Sequence, residues 1–181
     1  MENPVVTDTA QDQARAQFES IAAMVARLTH AKECTPSQCP LTDEEITEGI
    51  EMVPTRNPDR LEQYRDMYHD ADEAQQRIHE DALAVEVRSP WYSPGEADRN
   101  KEPIEFQILL CTGGPAVRMR GTLLDPDSQP DTPRLEYQDW GTPWTEYRHI
   151  TMPPDPETIV AELHRYRETL LAYARQFYFG E

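Results

Sequence analysis

Six acids of one segment, Asp59, Glu62, Asp66, Asp70, Glu73 and Glu80, recur at spacings of 3, 4, 4, 3 and 7 residues. On a helix this spacing predicts one flank carrying roughly one carboxylate per 5 Å of axis. Such a ridge resembles a phosphate backbone in its charge spacing. A protein that grips nucleic acid would meet it with the same Lys and Arg contacts. The plainer reading is a solvated helix face that provides solubility. Arg65 and Arg77 favour it, because each can neutralise an acid three or four residues away.

A second group is His30-x3-Cys34-x4-Cys39, three soft ligand types within ten residues. Zinc usually takes four ligands, often from C-x2–4-C pairs. His69 or His79 is a candidate fourth, but the Cys spacing is at the edge of the common range and no second C-x-x-C occurs. Cys34 and Cys39 are therefore read as ordinary free thiols, with zinc and a redox disulfide as alternatives. No metal ligand and no cofactor is assigned. Cys111 reads as a small buried hydrophobe.

The aromatics Tyr137, Trp140, Trp144 and Tyr147 surround a short turn, and Trp91-Tyr92 marks another loop. Rings so placed either seal a sheet end or anchor a partner, since Trp, Tyr and Arg lead binding hot spots. Trp140 and Trp144 join the six acids as candidate partner-binding residues. Arg88, Arg118 and Arg120 alternate away from apolar neighbours, as do Glu86, Glu105 and Glu136. A cross-strand ladder of ion pairs is expected, with an anion site at Arg118 and Arg120 as the alternative. No Gly-x-Ser-x-Gly, P-loop or His-Glu-x-x-His occurs, and Gly113-Gly114 precedes Pro115 and a strand rather than a helix. His79-Glu80 lacks the Pro-Cys-x-x-Cys partner of zinc deaminases. No catalytic residue is assigned.

The composition sharpens the first of these readings. The 181 residues hold 34 acids and 17 bases, a net charge of −17, and only Lys32 and Lys101 are lysines. Between Asp43 and Asp81 there are 13 acids and 4 bases, a net of −9 in 39 residues. This balance argues against direct binding of nucleic acid, which needs a surplus of Lys and Arg. No apolar run approaches the roughly 18 residues of a membrane span. Met1-Glu2-Asn3-Pro4 lacks the apolar core of a secretory signal. Three cysteines do not form a secreted disulfide framework, so a reducing cytoplasm is expected.

The elements that must position these residues follow from periodicity. Ala14, Phe18, Ile21, Ala22, Val25 and Leu28 predict a helix over 10–29. Thr42, with Glu45 three residues on, predicts a capped helix over 42–52. Asn57-Pro58 starts a third helix, carried to 81 by the narrow seam Leu61, Tyr64, Tyr68, Ala71, Gln75 and Ile78. The period then shortens, predicting strands at 84–88, 104–111, 116–124, 135–140 and 144–149, with a loop over 125–133. Ile159, Leu163, Tyr166, Leu170, Tyr173 and Phe177 predict a last helix over 156–177. Segregated helices and strands indicate α+β. The expected fold is one domain: residues 1–9 frayed, 10–82 helical and acidic, 83–150 a meander sheet of four to five antiparallel strands, and 155–178 a helix packed on the sheet or the other helices.

Trp91-Tyr92-Ser93-Pro94-Gly95-Glu96, the stretch Leu109-Leu110-Cys111-Thr112-Gly113-Gly114-Pro115-Ala116-Val117-Arg118, and Leu135 through Tyr147 resemble a family of small acidic proteins of bacteriophages and other mobile elements. The resemblance covers about residues 83 to 181. It implies a context in a bacterial cytoplasm and no residue roles. Acidity and context together predict an inhibitor of a bacterial defence complex, of CRISPR or restriction type, whose acidic helices mimic nucleic acid. The expected partner is a host nucleic-acid-binding defence protein, with no direct nucleic acid and no membrane. A phage structural or regulatory adaptor and a metal-dependent enzyme are the alternatives. The seams at 61–78 and 159–177 permit either an internal helix pair or a homodimer.

Overall fold

The first helix, α1, runs Thr9–Glu33 and buries Ala14, Phe18, Ile21 and Leu28. It outlasts the expected end at 29 because Ala31, Lys32 and Glu33 are good helix formers, and the first breaker is Pro36. In the computed structural model of the chain, residues 9–91, 102–124, 129–148 and 155–180 are described. Residues 1–8, where fraying was expected, lie outside them, and so do Tyr92 and His149.

A single 3₁₀ turn over Pro36–Gln38 leads to α2, Asp43–Gly49. Its capping box is formed as the sequence predicts: Thr42 accepts from the Glu45 N–H at 3.2 Å, and Glu45 accepts from the Thr42 N–H at 2.8 Å. Those bonds from Thr42 hold the Glu45 carboxyl below its ordinary range.

The expected helix over 57–81 is two helices, α3 at Pro58–Tyr68 and α4 at Ala71–Asp81. The break has a local cause. The Asp70 side chain accepts from the N–H groups of Asp72 and Glu73, both at 3.0 Å, and so caps a new helix instead of continuing the old one. His69 closes α3, its N–H reaching the Arg65 carbonyl at 3.2 Å. The seam is divided with it. α4 buries Ala74 and Ile78 against α1, whereas α3 buries no residue of its own and has α2 as its chief neighbour.

Five antiparallel strands follow in meander order: β1 Ala84–Arg88, β2 Glu105–Cys111, β3 Ala116–Leu124, β4 Gln129–Gln138 and β5 Thr145–Glu146. The register sets Ile108 opposite Met119, and Met119 opposite Leu135, so one face is a continuous apolar layer. That layer forms one core with Phe18 and Ile21 of α1 and with the last helix, α5, Pro156–Ala174. The fold is α+β, with its helices on one side of the sheet.

In the sheet, β4 and β5 depart most from their expected bounds. β4 starts at Gln129, inside the expected loop, despite Pro130 and Pro133. Among the described residues its far edge pairs with β5 at Glu136 and Tyr137 and not at the prolines, so no ladder bond is asked of them there. The register with β3 shifts between Arg120 and Thr122, opposite Thr132 at φ 43. Gly121 is buried at this shift because the Phe106 ring and the Asp131 carbonyl occupy the place of a side chain. β5 is shorter than the expected 144–149, although the Tyr147 N–H still donates to the Leu135 carbonyl at 2.8 Å.

α5 is capped by Asp155, which accepts from the Thr158 N–H at 2.8 Å, and is buried mainly over its C-terminal half. Tyr166 ties it to the sheet: the Leu135 N–H donates to its hydroxyl at 3.2 Å, and the hydroxyl donates to the Tyr147 carbonyl at 3.1 Å. Tyr173 donates to Asp81 at 2.8 Å. Burial pushes both phenols well above the ordinary tyrosine range, with the Asp81 charge adding to the effect at Tyr173. A raised folded value contributes stability that is complete below the unfolded value and lost as pH rises past it. Denaturant unfolding at a series of pH values is therefore expected to show stability falling above about pH 10. The Tyr166→Phe, Tyr173→Phe double variant should start lower and show a flatter alkaline limb.

Candidate docking surface and histidine–cysteine cluster

The break at His69-Asp70 redistributes the acidic ridge. Asp59, Glu62 and Asp66 stay together on one exposed face of α3 and make no ion pair or side-chain hydrogen bond among the described residues. The other three have internal partners. Asp70 caps α4, Glu73 pairs with Arg27 of α1, and Glu80 accepts from Gln76 at 2.7 Å. The neutralising arginines reach across elements and not along their own helix. Arg65 pairs with Asp43 of α2 at 2.6 Å, and Arg77 pairs with Glu51 at 2.5 Å. Glu44, Glu48 and Asp72 are further exposed carboxylates with no pairing cation among the described residues.

Polar ties therefore hold α3 where apolar burial does not. Besides the Arg65–Asp43 pair, Arg27 donates to the Met67 carbonyl at 2.7 Å and lies 5.8 Å from the centre of the Tyr68 ring. Arg27 is only 5% exposed. Sequence reading missed it, and little could have found it. On a helical projection it sits at the flank of the α1 apolar stripe, where an arginine is ordinary.

His30, Cys34, Cys39 and His69 converge at the foot of α3. Each offers one ligand atom, and those four atoms lie within 4.8 Å of one another. The His30 Nε2 to Cys39 Sγ separation is 3.3 Å. All four residues are half-buried, and all three cysteines of the chain are free thiols. Of the two candidate fourth ligands, the fold brings His69 and not His79, whose Nε2 donates to the Gln176 carbonyl at 2.6 Å. The His69 Nδ1 lies 2.7 Å from the Arg65 carbonyl. A carbonyl only accepts, so Nδ1 carries a proton, and in the neutral tautomer this leaves the lone pair on Nε2. That Nε2 is buried with no hydrogen-bond partner. Desolvation first, then the charge and hydrogen bond of Cys39, raise the Cys34 thiol above its ordinary range.

The open face of the sheet is the expected ladder. Arg118 and Arg134 both bind Glu136 at 2.8 Å, and Arg88 and Arg120 both bind Glu105, at 2.7 and 3.0 Å. Arg118 also donates to Gln107 at 3.0 Å, which donates to Glu86 at 2.9 Å. Burial pulls the Glu136 carboxyl upward, but the hydrogen bonds and charges of Arg134 and Arg118 outweigh it and hold it below the ordinary range. With these arginines paired, the ladder accounts for Arg118 and Arg120 without an anion. Trp144 belongs to the same face, its ring 3.9 Å from the Arg118 guanidinium. Trp140 is different. It is 77% exposed at the Asp139–Thr142 turn, against Gly114 of the β2–β3 turn. The fold thus separates the two candidate tryptophans by role, and it places Trp140 on the sheet turns and not beside α3. Cys111 is half-buried against the core, where burial pushes its thiol up.

No protein-family model, curated protein or solved structure matches this chain.

The site therefore has to be read from its chemistry. Among the described residues, no helix is long and apolar enough to cross a membrane. Among the described residues, the carboxylate row on α3 and the cluster at its foot keep chemistry left over after internal pairing.

Proposed function

We propose that this chain is an accessory protein of a bacteriophage or mobile element that inhibits a bacterial defence complex of CRISPR or restriction type. It does so by laying its acidic helices on the surface that the complex uses for nucleic acid. The observation that carries this reading is the row Asp59, Glu62 and Asp66, exposed on one face of α3 and without an ion-pair partner among the described residues. Glu44, Glu48 and Asp72 extend the negative field around it. Such a field attracts a Lys- and Arg-lined groove from a distance and repels nucleic acid itself. Trp140, exposed on the sheet turns and away from α3, is a separate candidate aromatic anchor. Asp70 and Glu73 serve the fold in this scheme, so they are poor choices for a test.

The test is transformation of cells that carry a defined CRISPR or restriction system with a targeted plasmid, with the chain expressed in trans. The wild-type chain should restore transformation against at least one such system. The triple variant Asp59→Lys, Glu62→Lys, Asp66→Lys, made at the same level, should not. Retained activity in the triple variant would remove the mimicry mechanism, and no restoration against any system tested would remove the function.

A further inference from the structure

We propose that His30, Cys34, Cys39 and His69 form a structural zinc site that ties α1 to the end of α3. This site stands apart from the docking reading, because it is scored on the chain alone.

The donor set is two imidazole nitrogens and two sulfurs, the tetrahedral S₂N₂ combination that selects zinc over hard cations such as calcium or magnesium. Around a tetrahedral zinc with bonds of about 2.0–2.3 Å, ligand atoms sit roughly 3.3–3.8 Å apart. The His30–Cys39 separation of 3.3 Å already meets this, and all four ligand atoms within 4.8 Å need only small side-chain rotations to do so. The spacing of two sulfurs and two nitrogens is a weak signal alone. A second, independent observation points to a ligand: the Nε2 of His69, a member of the cluster, is buried and has no hydrogen-bond partner among the described residues. Its ring is already held in the required tautomer, because Nδ1–H donates to the Arg65 carbonyl. A ligating histidine usually has its other nitrogen fixed in this way.

The four ligands come from three places: the last turn of α1, the loop around the 3₁₀ turn, and the residue that caps α3. Binding releases two protons, one from each thiol, and leaves both histidines neutral, so Zn²⁺ and two thiolates sum to no net charge. With four protein ligands no position remains for substrate, which makes the site structural and not catalytic. Its effect is to cross-link a helix that buries nothing of its own.

The experiment is titration of the full chain, reduced and stripped of metal, first with Co²⁺ and then with Zn²⁺. One equivalent of Co²⁺ should give intense tetrahedral ligand-field bands and thiolate-to-metal charge transfer, and Zn²⁺ should abolish both. Cys39→Ser should lose the charge-transfer band from that sulfur. His69→Ala should weaken zinc by more than the roughly 10–100-fold that loss of an outer partner costs. Cys111→Ser should leave the titration unchanged. X-ray absorption at the zinc edge of the wild-type chain needs no variant, and should read two sulfur and two nitrogen neighbours. Absence of tetrahedral bands, a titration indifferent to both Cys34→Ser and Cys39→Ser, or a zinc shell without sulfur would each overturn the site.

Discussion

Glu73→Ala is expected to lower the unfolding free energy by about 2–3 kcal/mol, read as a fall in denaturant midpoint at unchanged slope. The effect comes from what the substitution leaves behind. Arg27 is 5% exposed, and its guanidinium donates to Glu73 and to the Met67 carbonyl. Removing the carboxylate leaves a desolvated cation facing one carbonyl and the Tyr68 ring. Breaking a fully enclosed pair in this way costs about 3–5 kcal/mol. The Glu73 side chain is 43% exposed, so water recovers part of that. The cost belongs to the uncompensated charge and not to the pair itself. The double variant Arg27→Leu, Glu73→Leu should therefore regain most of the stability lost in the single one. A change below about 0.5 kcal/mol in Glu73→Ala would mean that Arg27 does not depend on this partner.

Phe106→Ala is expected to cost about 3–5 kcal/mol, measured by the same unfolding experiment. Phe106 is 1% exposed, and its ring fills the place of a side chain over Gly121 and lies 4.8 Å from the Phe179 ring. It thus joins β2, the register shift in β3 and the end of the chain. Glycine opposite it cannot expand to fill a void, so little of the cavity will close. Its cross-strand neighbour on the other side, Val87, is 49% exposed. Val87→Ala should stay within about 0.5 kcal/mol. Equal effects at the two positions would contradict a core that covers β2 and leaves the edge strand β1 open.

Most of the fold was legible because its signals are local. The capping box at Thr42 and Glu45, the Asn57-Pro58 start and the β2–β3 hairpin each depend on a few adjacent residues. The break at Asp70 was also local but lost to a stronger pattern: the seam at 61–78 reads as one helix unless the capping power of a single aspartate is weighed against it. Pro130 and Pro133 misled for the opposite reason. Whether proline fits a strand depends on which edge is unpaired, and that is set by the length of β5, elsewhere in the chain. The acid row was legible as composition and spacing, but the partner of Glu73 was not, since Arg27 lies 46 residues away from it in sequence. The metal-ligand types at 30, 34 and 39 were visible. Which histidine would join them was decided only by where α3 ends.

The central claim is that the carboxylate row on α3 competes with nucleic acid for one surface of a defence protein. It is tested most directly by equilibrium competition, with the purified defence complex that the transformation assay identifies, a labelled nucleic-acid substrate of that complex, and the full chain as competitor. Displacement should be complete, should weaken as salt rises, and should be lost in the Asp59→Lys, Glu62→Lys, Asp66→Lys variant. A ternary complex that retains the nucleic acid, or a triple variant that competes as well as the wild type, would contradict it.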